Sequence, residues 1–183
     1  MIHQGPTDAN SIPERSMEIS TSASSQQIQI LCFDLAGEVY GIPILKVREI
    51  QVAAAITRIP KTPPYMPGVI NLRGAIIPII DMRVRFALGD PPEGARPILV
   101  IVEVLDRVLG VRVDGVREVV DLDSGSIQPP PEWGMDTALD REFIKGLASM
   151  KDADGSELML ILLDLDRLLD PDELRSLSAA NQA

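Results

Sequence analysis

Two aspartates stand at matched places in this chain. Asp81 closes the apolar run "AIIPIID", and Asp164 closes "LMLILLD". Paired carboxylates can do acid/base chemistry if one pocket holds both and drives their pKa values apart. The segments that follow, "MRVRF" and "LDRLL", offer a plainer role. An Asp before a short helical turn accepts hydrogen bonds from the turn's free backbone N–H groups. Capping is the preferred reading, because no local cluster of acids completes a catalytic pocket. Other chemistries lack parts. The only His is His3, in a polar terminal stretch, and the only Cys is Cys32, inside "ILCFDL", where it reads as a small buried hydrophobe. Cys–His and Ser–His nucleophiles and His-ligated metals are therefore nearly excluded. No catalytic residue, cofactor or metal is expected.

The remaining candidate is a cation. In "PGVINLRGAIIPIID" the only charge before the final Asp is Arg73. Gly68 and Gly74 remove side chains on either side of it, so the loop can lie close to another surface. A guanidinium there, planar and with five donors, suits a protein contact. Arg73 is expected to be at least partly exposed, on the wall of a groove. The competing reading is an internal ion pair with Glu49 or Asp81 that fixes the loop. In "KVREI", Val47 and Glu49 share one side of a strand, while Arg48 and Ile50 share the other. Ile50 is expected to be half-buried.

These residues need strands to position them. Strand patterns cover residues 27–35, 38–42, 46–52, 75–80, 96–105, 107–113, 142–150 and 156–165. Pro60, Pro63, Pro64 and Pro67 mark an extended loop, and Pro78 argues for a sheet edge or a bulge. Only "DPDELRSL" reads as helix, with Asp170 as N-cap, Pro171 at the first helical position and Glu173 completing a capping box. Residues 1–26 are a polar tail. Residues 27–183 form the folded part. Trp133, in the Pro-rich "PPPEWGMD", fits either a plug for a barrel end or an anchor for a partner.

The chain also repeats. Shifted by 69 positions, "VYGIPILKVREI" falls on "VLGVRVDGVREV", so that Val47, Arg48 and Glu49 meet Val116, Arg117 and Glu118. "PGVINL" resembles "KGLASM", and the two Asp-terminated runs correspond. Two similar small barrels, packed together with a groove between them, follow from this duplication.

Charge narrows the function. The 183 residues carry a formal net charge of −10, with only 3% aromatics, which argues against an oligonucleotide-binding barrel with its stacking platforms and basic groove. It argues equally against docking on an anionic membrane. The apolar runs are too short to span a bilayer, and no basic-then-apolar leader is visible, so cytoplasm is the expected location.

The repeated segments "YGIPILKVREI", "PGVINLRGAIIPIIDMRVRF" and "VLGVRVDGVREVV" resemble the chemotaxis coupling protein family, CheW, over about residues 27–175. The resemblance implies an all-β fold of two five-stranded SH3-like barrels with a short C-terminal helix. It also implies a non-enzymatic adaptor that joins the cytoplasmic tips of chemoreceptors to the regulatory domain of the histidine kinase CheA, in membrane-associated arrays. The family's receptor contact falls on Arg73, with Val47 and Glu49 near it. The candidate receptor-binding set is Arg73, Glu49, Val47, Gly68, Asn71 and Val116, the last being the copy of Val47 and equally open to a structural role. Two rival functions are a carboxylate-based β-barrel enzyme and, within the family, an adaptor for a non-flagellar pathway.

Overall fold

The computed structural model describes residues 26–52, 55–96, 98–131, 143–170 and 172–173. The first repeat supplies β1 (Gln27–Leu35), β2 (Glu38–Pro43), β3 (Val47–Val52), β4 (Gly68–Leu72) and β5 (Ala75–Asp81). The second supplies β6 (Ile98–Val104), β7 (Arg107–Val113), β8 (Gly115–Asp123), β9 (Ile144–Lys151) and β10 (Glu157–Leu163). A four-residue helix, α1 (Met82–Arg85), follows β5, and a 3₁₀ turn, Leu165–Arg167, follows β10. The architecture is all-β, as expected.

The repeats do not fold as separate barrels. One five-stranded sheet has the order β8-β1-β2-β10-β9 and the other β3-β6-β7-β5-β4. Replacing each strand of the first by its copy in the other repeat reproduces the second. Each sheet thus takes two strands from one repeat and three from the other, and the chain crosses between sheets after β2 and after β7.

The exchange explains the apolar strands β1 and β6. Leu31, Phe33 and Leu35 join a core shared by both sheets, together with Val100, Val102 and Val104 of β6. The alternate residues Ile30 and Cys32 face a second core within their own sheet, and Leu99 and Ile101 face a third. Strands buried on both faces lose the polar alternation of a one-sided strand. All five described aromatic rings lie along one line through this region. Phe33 stacks on Tyr40, Tyr40 on Phe86, and Phe86 meets Phe143, while the Arg85 guanidinium sits over both Phe143 and Tyr65.

Three expectations are corrected or limited. Ile50 is exposed rather than half-buried, on a strand at one margin of its sheet. Pro78 lies on β5, an interior strand between β7 and β4, not on an edge. The capping box is formed: Asp170 Oδ1 accepts from the backbone N–H of Asp172 and Glu173, and Glu173 Oε2 accepts from Asp170 N–H. The rest of the expected C-terminal helix, the polar tail over 1–25 and Trp133 lie outside the described residues.

Candidate interaction site

Arg73 sits at the tip of the β4–β5 hairpin. Leu72 pairs with Ala75, leaving Arg73 and Gly74 as a two-residue turn with φ of 51° and 89°. Positive φ at both central positions matches the twist of the flanking strands. Asn71 Oδ1 accepts a hydrogen bond from Gly74 N–H at 2.9 Å and holds the turn. The Arg73 side chain is 79% exposed, and its Nη2 donates to Glu49 Oε2 at 2.7 Å. Both readings of this arginine therefore hold together: it is presented to solvent, and it is anchored by Glu49 on β3. An exposed pair contributes little stability, roughly 0.2–1 kcal/mol. What it does supply is a preset direction for a donor fork whose remaining N–H groups face outward. Asp81, the other acid offered as a partner, is occupied elsewhere.

Val47, Glu49 and Gln51 are half-buried and alternate with exposed Arg48, Ile50 and Val52, as the strand period requires. Val47 pairs with Val102 and packs on the shared core. Its copy Val116 pairs with Phe33 and packs on the same core. Both therefore have a structural role, and only a fraction of each side chain reaches the surface.

Gly68 corrects the sequence reading. It is buried, with φ of 148°, and a Cβ there would stand 2.1 Å from the Thr57 carbonyl oxygen. The close approach it permits is internal. Thr57 N–H donates to Val69 O and Val69 N–H to Thr57 O, so the loop before β4 is bonded against the strand at this point. Gly68 shapes the platform for the hairpin.

The two aspartates act as caps. Asp81 Oδ1 accepts from the N–H groups of Arg83 and Val84, and Asp164 Oδ1 accepts from Asp166 N–H. Asp81 also binds Arg112 at 3.0 Å, and Arg167 stands 3.5 Å from Asp164. Among the described residues no group of His, Cys, Asp and Glu could hold a metal. Burial, with the nearby Glu118 charge, pushes the Cys32 thiol up to about 11, so it stays protonated at neutral pH.

Sequence reasoning missed the ion pairs that tie the repeats together. Arg48 binds Glu103 and Arg117 binds Asp34, each at 2.6 Å. Shifting either pair by 69 positions gives the other, so the repeat itself held this signal. The sheet crossings carry a second set. Arg83 grips Asp114 with Nε and Nη2, both at 2.7 Å, and Lys46 binds Asp166 at 2.7 Å. Arg83 and Asp166 each stand two residues after a capping aspartate, and their partners Asp114 and Lys46 lie at the two sheet crossings, one position out of step in the repeat, so the pairs are similarly placed with the charges reversed. Burial acts to raise the Asp114 carboxyl, but the Arg83 hydrogen bonds, the Ala36 N–H and the Arg83 and Arg112 charges outweigh it and hold it below its ordinary range.

Residues 29–173 match the model of the CheW-like domain. The chain belongs to the CheW-like family. It is 40% identical to the chemotaxis protein CheW of Klebsiella aerogenes over 146 residues, which cover 80% of this chain and 84% of that one. It is 33% identical to the chemotaxis protein CheW of Treponema pallidum over 167 residues, covering 87% and 92%. In structure it resembles the scaffolding protein TtCheW of Thermoanaerobacter tengcongensis, with a TM-score of 0.68 and 38% identity over 81% of this chain and 96% of that one. The family assignment agrees with the two related sheets. Among the described residues no helix is long and apolar enough to cross a membrane.

Proposed function

We propose that this protein is a non-enzymatic scaffold that couples chemoreceptors to the histidine kinase CheA in membrane-associated arrays. Family membership and the chemotaxis proteins it resembles support the pathway. The observation that carries the contact is the Arg73–Glu49 pair, an exposed guanidinium on a rigid turn, held in one direction by an acid from another strand. The receptor's helical tip would meet Arg73, Asn71 and Glu49, with the exposed edges of Val47 and Val116 beside them. Separate surfaces at barrel ends would meet the kinase. Coupling then requires that receptor signalling change the fit of one contact and, through the shared core, the free energy of the other.

Purified receptor cytoplasmic fragment, CheA and this protein test the reading together. The expected result is a ternary complex in which kinase autophosphorylation rises only when all three are present. A protein that binds neither partner at tens of micromolar would refute the coupling role.

A further inference from the structure

The two repeats meet at a cation held between matched aromatic rings. Tyr65 stands three residues before Gly68, and Phe143 three before Gly146. Each gives its carbonyl oxygen to the N–H of the capping aspartate of its own repeat, Asp81 at 2.7 Å and Asp164 at 2.8 Å. The two rings therefore occupy one position of the repeat. Between them lies the Arg85 guanidinium, 4.3 Å from the Tyr65 ring centre and 5.0 Å from that of Phe143. Arg85 also has a counterpart. It stands four residues after Asp81, as Leu168 stands four after Asp164, and Leu168 is fully buried in the shared core. One repeat fills this place with a hydrocarbon and the other with a charge.

A charge there needs a counter-ion. Glu173, from the capped C-terminal turn, supplies it. Its Oε1 accepts from Arg85 Nη1 at 3.3 Å and from the Tyr65 hydroxyl, and its Oε2 accepts from Arg85 Nη2 at 3.4 Å. Burial first, then the hydrogen bond to Glu173, pushes the Tyr65 hydroxyl up to about 12, so it stays a donor at neutral pH. The clamp is incomplete all the same. Both guanidinium bonds are long for a charge-assisted pair. Arg85 Nε is buried with no acceptor among the described residues. A buried donor left unpaired offsets part of what the pair contributes. Through Tyr65 the turn reaches the candidate site. Tyr65 lies in the loop that leads to Gly68 and β4, and with Glu173 it lines the same cleft as Gly74 and Ile76 of the Arg73 hairpin.

We propose that this junction is a latch. Through Glu173 the C-terminal turn holds Arg85 between the two rings. When it lets go, the loop before β4 and the base of the Arg73 hairpin open together while the two sheets stay folded. The direction of Arg73 then depends on whether the C-terminal turn is docked. The latch stands on the junction itself, and only its bearing on partner contact rests on the receptor reading.

Amide hydrogen exchange of the full chain, followed by NMR at several low urea concentrations, tests it. The amides of Met66, Val69 and Asp81, bonded to the Pro63, Thr57 and Tyr65 carbonyls, should share one opening. Its urea dependence should be less than about half that of Val100 and Leu109 in the core. Glu173→Gln keeps a capping oxygen but removes the charge, and should speed exchange at Met66 and Asp81 at least about fivefold. Tyr65→Phe with Arg85→Leu writes the second repeat's residues into the first. In that background Glu173→Gln should change exchange at the same amides less than about twofold. The proposal is overturned if the three amides exchange with the urea dependence of the core, or if Val69 follows the core while the other two do not. It is overturned equally if Glu173→Gln leaves Met66 and Asp81 unchanged, or acts as strongly in the two-residue background. Receptor binding enters none of these readouts, so the latch and the receptor reading can fail separately.

Discussion

Hairpins β4–β5 and β9–β10 occupy matching places in the two repeats and are braced alike. Gly68 lies against the Thr57 bridge, and its copy Gly146 lies against the Gln128 bridge. Their tips differ. The first is the tight Arg73–Gly74 turn, with a guanidinium directed by Glu49. The second is a longer loop, in which Asp152 Oδ1 accepts from the N–H groups of Asp154 and Ser156 and closes the loop on itself. One tip presents a donor, while the other consumes its acid internally. The fold is duplicated, but the exposed guanidinium tip of the proposed site is found on the first repeat and not on the matching hairpin of the second.

The glycines give the largest expected effect. Gly68→Ala places Cβ 2.1 Å from a backbone oxygen at a φ that L residues avoid. A loss of about 4 kcal/mol is expected, the scale of severe single substitutions. In Gly146→Ala the nearest atoms are the Cγ2 methyl of Ile127 at 2.5 Å and the backbone oxygen of Gln128 at 2.8 Å, both farther off than the Thr57 oxygen is from Gly68, and no positive φ adds strain. About half the loss is expected there. Urea denaturation of both variants checks the order, and a cooperative, wild-type-like transition in Gly68→Ala would show that the bracing is not tight.

Arg73→Glu sharpens the contrast between the tips. It puts like charges at the Arg73–Glu49 contact and removes the donor fork. Receptor binding should weaken by at least about 2 kcal/mol, the scale of an interface hot spot. Thermal stability should fall by less than about 1 kcal/mol, since the pair is exposed, and kinase binding should stay nearly unchanged. Asp152→Ala on the other tip should leave receptor affinity alone. If the Arg73 variant melts far lower and loses both partners, the pair is chiefly a structural brace.

The contrast also shows what could be read from residues alone. The repeat, eight of the ten strands and the two caps were legible because they depend on local pattern, namely alternation, an acid before a turn and a shift of 69, whereas β4 and β8 were not among the strand runs. Strand exchange was not, because a repeat says which strands are equivalent and not which copy each one pairs with. Arg73 was legible as an exposed donor, and Glu49 was one of two acids offered to it. Asp81 lost that contest because capping and Arg112 already occupy its oxygens. Gly68 was misread because a glycine that permits close approach does not tell whether the approaching surface is the protein's own. Pro78 was read as the mark of an edge or a bulge. The missing N–H was the right physical cause, but it ends a ladder within an interior strand.

The crossings give a pH test. Asp114, paired with Arg83 where β7 passes to β8, is held below its ordinary range, so the unfolded chain binds more protons as pH falls through that range. By linkage the stabilisation is present at neutral pH and is lost as pH drops below the ordinary carboxylate region. Asp114→Asn should lower stability at pH 7 and flatten the acid limb of the stability curve. Lys46→Met, which removes the reversed pair at the other crossing, serves as the comparison. Unchanged steepness of the acid limb in Asp114→Asn would place the acid sensitivity on other carboxylates.

The caps should give the smallest effects, and they bear on whether the matched aspartates are equivalent. Each accepts backbone N–H groups of the turn that follows it, and losing a cap costs about 1 kcal/mol. Asparagine keeps a capping oxygen, so Asp164→Asn should cost less than that. Asp81 does more. Its second oxygen binds Arg112, and it is among the buried residues, whereas Asp164 faces only the more exposed Arg167 at longer range. Removing the Asp81 charge leaves Arg112 without that partner in a partly buried place. Asp81→Asn should therefore cost more than Asp164→Asn, by roughly 1 kcal/mol for a charge-assisted bond. Thermal melts of the two single variants and the double variant decide it. Among the described hydrogen bonds and ion pairs the two carboxylates share no partner, so the double loss should come close to the sum. A large excess over the sum would mean that the two capped turns communicate through the shared core, and then the repeats are coupled more tightly than their separate ion pairs require.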